Sequence, residues 1–122
     1  MEVMSAIIVD DEPLALELLS NILSEIYNIE VACHCHNGRE AIGKITEIRP
    51  DLVFLDIEMP KMDGISMLKA LSPLPQVILV TSHDEYAVES YEYDVTDFVK
   101  KPISTARFLK AVEKANKRFN TD

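Results

Sequence analysis

Leu52-Val53-Phe54-Leu55-Asp56-Ile57-Glu58-Met59-Pro60 is the stretch on which the fold turns. Four consecutive apolar side chains run into a single acid, and the loop beyond it sets Pro60 and Gly64 around a turn. A short run without polar alternation suits a strand buried on both faces, as in a parallel sheet covered by helices. No helix begins directly after Asp56 for it to cap. A carboxylate in that position is a candidate for chemistry.

The same signature recurs on either side. Ala6-Ile7-Ile8-Val9, Ile29 to Cys35, Gln76-Val77-Ile78-Leu79-Val80 and Phe98-Val99 are further apolar runs, and helix-period segments alternate with them from Pro13, from Arg39 and after Ser104. The alternation predicts five strands and about five helices in an α/β domain, with crossover helices on both faces of a parallel sheet. In the first helix Leu14, Leu18, Ile22 and Ile26 recur at steps of four, with Leu19 and Leu23 widening the stripe. Pro13 fits the first turn, where a missing N–H costs nothing. Ser104 is a cap for the last helix, in which Phe108, Leu109, Val112 and Ala115 are expected to face inward and Lys110, Glu113, Lys114 and Lys117 outward.

A chain of 122 residues fits one domain spanning 1–122, with neither repeats nor a linker inside it. No apolar run approaches the roughly 18 residues of a membrane span, and the first residues do not resemble a signal peptide, so a cytoplasmic location is expected. The two cysteines, Cys33 and Cys35, are too close for a framework disulfide and are expected as thiols. Twenty-one acidic against twelve basic side chains give a net charge of -9, which repels nucleic-acid phosphates and anionic membranes and favours cations.

In open parallel sheets, ligands bind beyond the carboxyl ends of the strands. The polar residues there are selective: Asp10, Asp11 and Glu12 after the first strand, Asp56 after the third, Thr81 and Ser82 after the fourth, Lys100, Lys101 and Pro102 after the fifth. If strands one and three are neighbours, Asp10, Asp11 and Asp56 are crowded, and a hard divalent cation relieves their repulsion. Magnesium suits such a site because it accepts a few carboxylates and keeps waters that phosphate oxygens can replace. Calcium fits less well, since no loop matches its twelve-residue pattern. Helix capping is the plainer reading of Asp10, Asp11 and Glu12, but it does not account for Asp56, Thr81 and a lysine at the same edge.

Taken in order, Ile8-Val9-Asp10-Asp11-Glu12-Pro13, Leu55-Asp56-Ile57-Glu58-Met59-Pro60 with Asp63-Gly64, Val80-Thr81-Ser82 and Asp97-Phe98-Val99-Lys100-Lys101-Pro102 resemble the receiver domains of two-component response regulators over nearly the whole chain. The resemblance implies a flavodoxin-like doubly wound sheet of order 2-1-3-4-5 with five helices. It implies that Asp56 takes a phosphoryl group from a sensor histidine kinase with Mg2+. Asp11 and Asp56 would ligate the ion directly, Asp10 through water and Glu58 through its main-chain carbonyl. Thr81 would bond a phosphoryl oxygen. Lys101, the lysine before the proline, would pair with the phosphoryl group, the Lys101-Pro102 peptide would be cis, and Lys100 would be a bystander. Output would run from Thr81 to Phe98, where many relatives have tyrosine. It would reshape the face of the fourth helix, strand five and the fifth helix, including Tyr86, Tyr91 and Tyr93, a surface suited to a homodimer. His83-Asp84-Glu85-Tyr86-Ala87 and Lys101-Pro102-Ile103-Ser104 resemble receivers of regulators with a LytTR-type DNA-binding domain, so the chain is also expected as the N-terminal part of a longer transcription regulator. His83 and Glu58 would set the phosphoryl lifetime, and Ser82, where a smaller residue is usual, would narrow access.

Other readings are a stand-alone receiver acting through protein contacts, a constitutive binding module, and a magnesium-dependent phosphohydrolase, for which Glu58 is a second acid two residues after Asp56. The last lacks room for a cap domain. As a receiver the chain is not an enzyme in the ordinary sense, catalysing only its own phosphorylation and dephosphorylation. Cys33-His34-Cys35-His36 suggests a soft-metal cluster, but strand alternation points the cysteines one way and the histidines the other. Met59, Met62 and Met67 read as packing residues.

Overall fold

Strands that are apolar on both faces must be covered on both, and the chain does this with a doubly wound sheet. A computed structural model describes residues 2–59, 64–71, 73–82 and 93–121. The elements are β1 (Met4–Val9), α1 (Pro13–Ser24), β2 (Ile29–Cys35), α2 (Gly38–Ile48), β3 (Leu52–Leu55), α3 (Gly64–Ala70), β4 (Gln76–Thr81), β5 (Asp97–Lys100) and α4 (Thr105–Phe119). All strand pairs are parallel, in the order β2-β1-β3-β4-β5. This is the flavodoxin-like arrangement. Four helices lie among the described residues, and the further helix expected around Tyr86 and Tyr91 falls outside them, so α4 corresponds to the fifth helix expected from the sequence.

Alternation along each strand divides the interior in two. Met4, Ala6 and Ile8 of β1 pack with Leu16, Leu19 and Leu23 of α1 and Phe108, Ala111, Val112 and Ala115 of α4. Ile7 and Val9 face the other way, onto Ala41 and Ile45 of α2 and Ile65, Met67 and Leu68 of α3. Phe54 of β3 meets Phe108 of α4 with ring centroids 5.2 Å apart, within the range of favourable aromatic pairs.

Two expected helix faces shift. Leu14, with 79% of its surface exposed, and Leu18 stand outside the core, and Leu16, Leu19 and Leu23 form the buried line of α1, with Ile22 and Ile26 at its margin. A step of four residues overshoots the 3.6-residue turn by about 40°, so a four-step row winds off one face where a line of mixed three and four steps stays on it. In α4, Leu109 is exposed, and Phe108, Ala111, Val112 and Ala115 form the buried line. The helix ends follow their caps. Asn37 Oδ1 accepts the Glu40 N–H at 2.8 Å, starting α2 at Gly38, one residue before Arg39. Ser104 Oγ accepts the Arg107 N–H at 3.3 Å.

On β2, Cys35 is buried and Cys33 half-buried, whereas His34 is exposed and lies 2.7 Å from Ser20 Oγ through its Nε2. The cysteines and His34 thus point to opposite faces, as strand alternation requires. Met59 and Met67 are buried in the α2–α3 side of the core, and Met62 lies outside the described residues. Among the described residues, no helix is long and apolar enough to cross a membrane.

Candidate functional site

The order of the sheet reverses at β1 and β3, the usual place for a ligand crevice in an open α/β sheet. Val9 and Leu55 are ladder partners, so the next residues, Asp10 and Asp56, leave the sheet side by side. Their backbones are pinned: the Asp10 N–H donates to the Cys35 carbonyl at 3.0 Å and the Asp56 N–H to the Val9 carbonyl at 2.9 Å. Their side chains are held alike. Asp10 Oδ1 accepts the Glu12 N–H at 2.9 Å, and Asp56 Oδ1 accepts the Glu58 N–H at 3.1 Å. Asp10 and Asp56 are buried and Asp11 is exposed, and one ligand oxygen from each of the three lies within 4.8 Å of the others.

Lys101 reaches this cluster from beyond β5. Its N–H donates to the Thr81 carbonyl at 2.8 Å, and the Lys101–Pro102 peptide is cis. Its Nζ donates to Asp10 Oδ2 at 2.8 Å, Glu12 Oε1 at 2.7 Å and Asp56 Oδ2 at 3.1 Å. Burial alone would lower the Lys101 pKa, but the bonds to Asp10 and Glu12 and the charges of Asp56 and Asp10 outweigh it and push the value up. Burial pushes the Asp10 carboxyl up, against the opposing pull of Lys101 and the Glu12 N–H, with the Asp56 charge adding to the rise. Three carboxylates meet one ammonium group, so formal negative charge exceeds positive at this edge.

Of the acids after β1, Glu12 stands at the cap position of α1 but its side chain makes no capping bond. It goes to Lys101, a contact that sequence reasoning missed because nothing in the spacing of residues 12 and 101 brings them together. Lys100 is exposed, and its neighbour Lys101 supplies the cation of the cluster. Thr81 is fully buried at the end of β4, and Glu58 and Ser82 are exposed. Phe98 is half-buried, opposite Leu79 in the ladder and packed on the α2–α3 side of the core, while Thr81 is opposite Lys100. Thr81 and Phe98 therefore share a face of the sheet. Tyr93 joins that side of the core; His83, Tyr86 and Tyr91 lie outside the described residues.

A second feature not foreseen lies beside Phe98. Arg107 of α4 forks onto Asp97, with Nη1 to Oδ2 at 3.0 Å and Nη2 to Oδ1 at 2.9 Å, and Nη2 also donates to the Phe98 carbonyl at 2.9 Å. Burial would raise the Asp97 carboxyl, but Arg107, the Phe98 N–H and Lys114 outweigh it and hold it below the usual carboxylate range. The ion pair then contributes stability that is full above the unfolded value of about 3.9 and is lost as pH falls through the lower folded one. Arg107→Ala is expected to cost about 1 kcal/mol near neutrality, the upper end for an exposed pair, with a deficit that shrinks in acid. Urea unfolding at neutral pH and in acid checks this; an equal deficit in both would mean that Arg107 acts through packing alone.

The family model described as the response regulator receiver domain matches residues 6–113. The chain belongs to that family. The receiver is 43% identical over 108 residues to the transcriptional regulatory protein BtsR of Escherichia coli K12, an alignment that takes 87% of this chain and 45% of BtsR. It spans about half the length of the curated relatives it matches. Among solved structures, the response regulatory domain of mrkE from Klebsiella pneumoniae superposes with a TM-score of 0.91 at 27% identity, covering 98% of this chain and 100% of that one. The CheX-CheY-BeF3-Mg+2 complex from Borrelia burgdorferi matches the receiver with a TM-score of 0.85 at 26% identity, over 93% of this chain and 89% of that one.

Proposed function

We propose that this receiver is a phosphoryl-accepting switch in which Asp56 is the acceptor. The observation that carries the reading is the placement of Asp56, buried at the β1–β3 reversal, beside two further aspartates and within reach of Lys101. A carboxylate oxygen of Asp56 attacks the phosphorus of a kinase phosphohistidine, the P–N bond breaks, and the imidazole leaves with its electron pair. Lys101 Nζ pairs with the transferred phosphoryl oxygens and Thr81 donates its hydroxyl to one of them. Water later cleaves the acyl phosphate, at a rate that Glu58 and His83 set.

The donors suit magnesium: three carboxylates, all oxygen, with ligand atoms within 4.8 Å of one another. Asp11 and Asp56 would hold the ion directly, Asp10 through water and Glu58 through its main-chain carbonyl. When bound, magnesium supplies positive charge against the phosphoryl oxygens.

Output passes from Thr81 to Phe98. A threonine hydroxyl drawn to the phosphoryl group leaves room on the face that Phe98 shares, and Phe98, lacking a hydroxyl, responds by burial alone. The surface changed is that of β5, α4 and the segment before β5, where a second copy can dock. The resemblance to LytTR-type receivers, together with the similarity to BtsR, a transcriptional regulatory protein, supports transcription as the output of a longer regulator, of which residues 1–122 are the receiver domain. That the relatives are named as regulatory proteins favours this switch over a phosphohydrolase.

The test is incubation with acetyl phosphate and magnesium, followed by intact mass. One phosphoryl group is expected on the wild type and none on Asp56→Asn. A wild type that gains none, or a variant that gains as much, would overturn the reading; repeated turnover of small phosphate esters would favour the hydrolase.

A further inference from the structure

An ammonium group has three N–H donors, and on Lys101 three carboxylates take them: Asp10 at 2.8 Å, Glu12 at 2.7 Å and Asp56 at 3.1 Å. A phosphoryl oxygen arriving on Asp56 finds no N–H on Nζ until one carboxylate gives way. The three differ in how easily they leave. Asp10 and Asp56 have their second oxygens fixed by the N–H groups of Glu12 and Glu58, and their side chains are 1% and 8% exposed. Asp10 would leave Lys101 only by becoming a buried charge that the lysine no longer balances, whereas Asp56 passes its charge to the phosphoryl group as it is phosphorylated and releases one N–H of the three.

Glu12 is different. Its side chain is 62% exposed, it does not cap α1, and Lys101 is the hydrogen-bond partner of its carboxylate among the described residues. Water can take the place of Lys101 on Glu12, as in exposed ion pairs generally, and the pair is easily exchanged.

We propose that Glu12 is a positioning residue: it holds Lys101 Nζ in the unphosphorylated receiver and, beyond Asp56 itself, is the carboxylate that yields as Lys101 turns to the phosphoryl oxygens, so that this contact restrains the loading of Asp56. The inference rests on Asp56 being the phosphoacceptor. It makes Glu12 a brake whose strength is set by one exchangeable hydrogen bond.

The experiment compares wild type, Glu12→Gln and Glu12→Asp in two measurements. The first is the exchange with water of the Lys101 amine hydrogens in metal-free protein, followed by nitrogen-detected magnetic resonance. The second is the beryllofluoride concentration for half-saturation at saturating magnesium, which removes any difference in metal affinity. Glu12→Gln weakens the acceptor at constant shape, and Glu12→Asp keeps the charge but shortens the reach. Both should speed the amine exchange and lower half-saturation roughly two- to fivefold, the range corresponding to an exposed ion pair. Wild-type behaviour of Glu12→Asp in both measurements would overturn the contact in favour of charge alone. Unchanged half-saturation in both variants overturns the proposal while a wild type that binds beryllofluoride keeps Asp56 as acceptor; a wild type that binds none overturns both.

Discussion

Lys101→Met is expected to destabilise the metal-free receiver by about 3 kcal/mol, the lower end of the cost of breaking a buried ion pair from one side. Methionine keeps much of the apolar stem, so packing changes little. What is lost is the cation shared by Asp10 and Asp56, whose side chains are almost wholly buried. The lower end applies because Glu12, the third partner, is exposed and can turn to water. The pH dependence identifies the cause. Asp10 already has a raised carboxyl pKa, and Lys101 is one of the influences holding that rise down. A carboxyl raised in the folded state costs stability when ionised, so the deficit should shrink as pH falls through the folded value and be least below the unfolded one of about 3.9. Magnesium should narrow it as well, because the cluster without the lysine binds the cation more tightly and gains more stability from it. Urea unfolding across this range, with and without magnesium, provides the measurement. A deficit indifferent to both would show that the lysine matters for packing and not for charge.

Gly64→Ala is expected to harm loading more than its size suggests. A Cβ at Gly64 would lie 2.7 Å from the Ile57 Cα and 3.1 Å from the Asp56 carbonyl oxygen. Both are backbone atoms that cannot rotate aside. The Gly64 N–H also donates to the Ile57 carbonyl at 2.7 Å, so relieving the clash strains that bond. Overpacking of this kind costs about 1–3 kcal/mol, against roughly 0.4–1 kcal/mol recovered from the stiffer unfolded chain. Net destabilisation of about 1–2 kcal/mol follows. The larger effect is on chemistry, because the displaced backbone carries Asp56, and a shift on the order of 1 Å can lower a positioned reaction about 100-fold. The rate of phosphoryl gain from acetyl phosphate, set beside thermal stability, separates the two. A normal rate in a destabilised variant would show that the turn can move without moving Asp56.

The sheet and the acidic edge were legible because each depends on local pattern. Unbroken apolar runs mark strands covered on both faces, and the polar residue ending each run must appear at one edge once the strands are parallel. Asp10, Asp56 and Lys101 therefore come together as expected. The partners of Lys101 were only partly legible: Glu12 reads as a helix cap, and its turn toward a lysine 89 positions away depends on the assembled fold. Arg107 was missed for the same reason, since on the sequence it is one more basic residue of an amphipathic helix. Leu14 and Leu109 were misplaced because periodicity gives the spacing of a stripe but not which edge of it meets the sheet.

Phe98 and Val99 are neighbours in the chain yet belong to different halves of the interior, Phe98 to the α2–α3 side and Val99 to the α1–α4 side. The sheet between them acts as a bulkhead. A side chain can shift on one side while Val99, with Phe108 and Ala111 behind it, keeps the strand moored from the other. If Phe98 moves, the neighbours it meets are those of its own compartment.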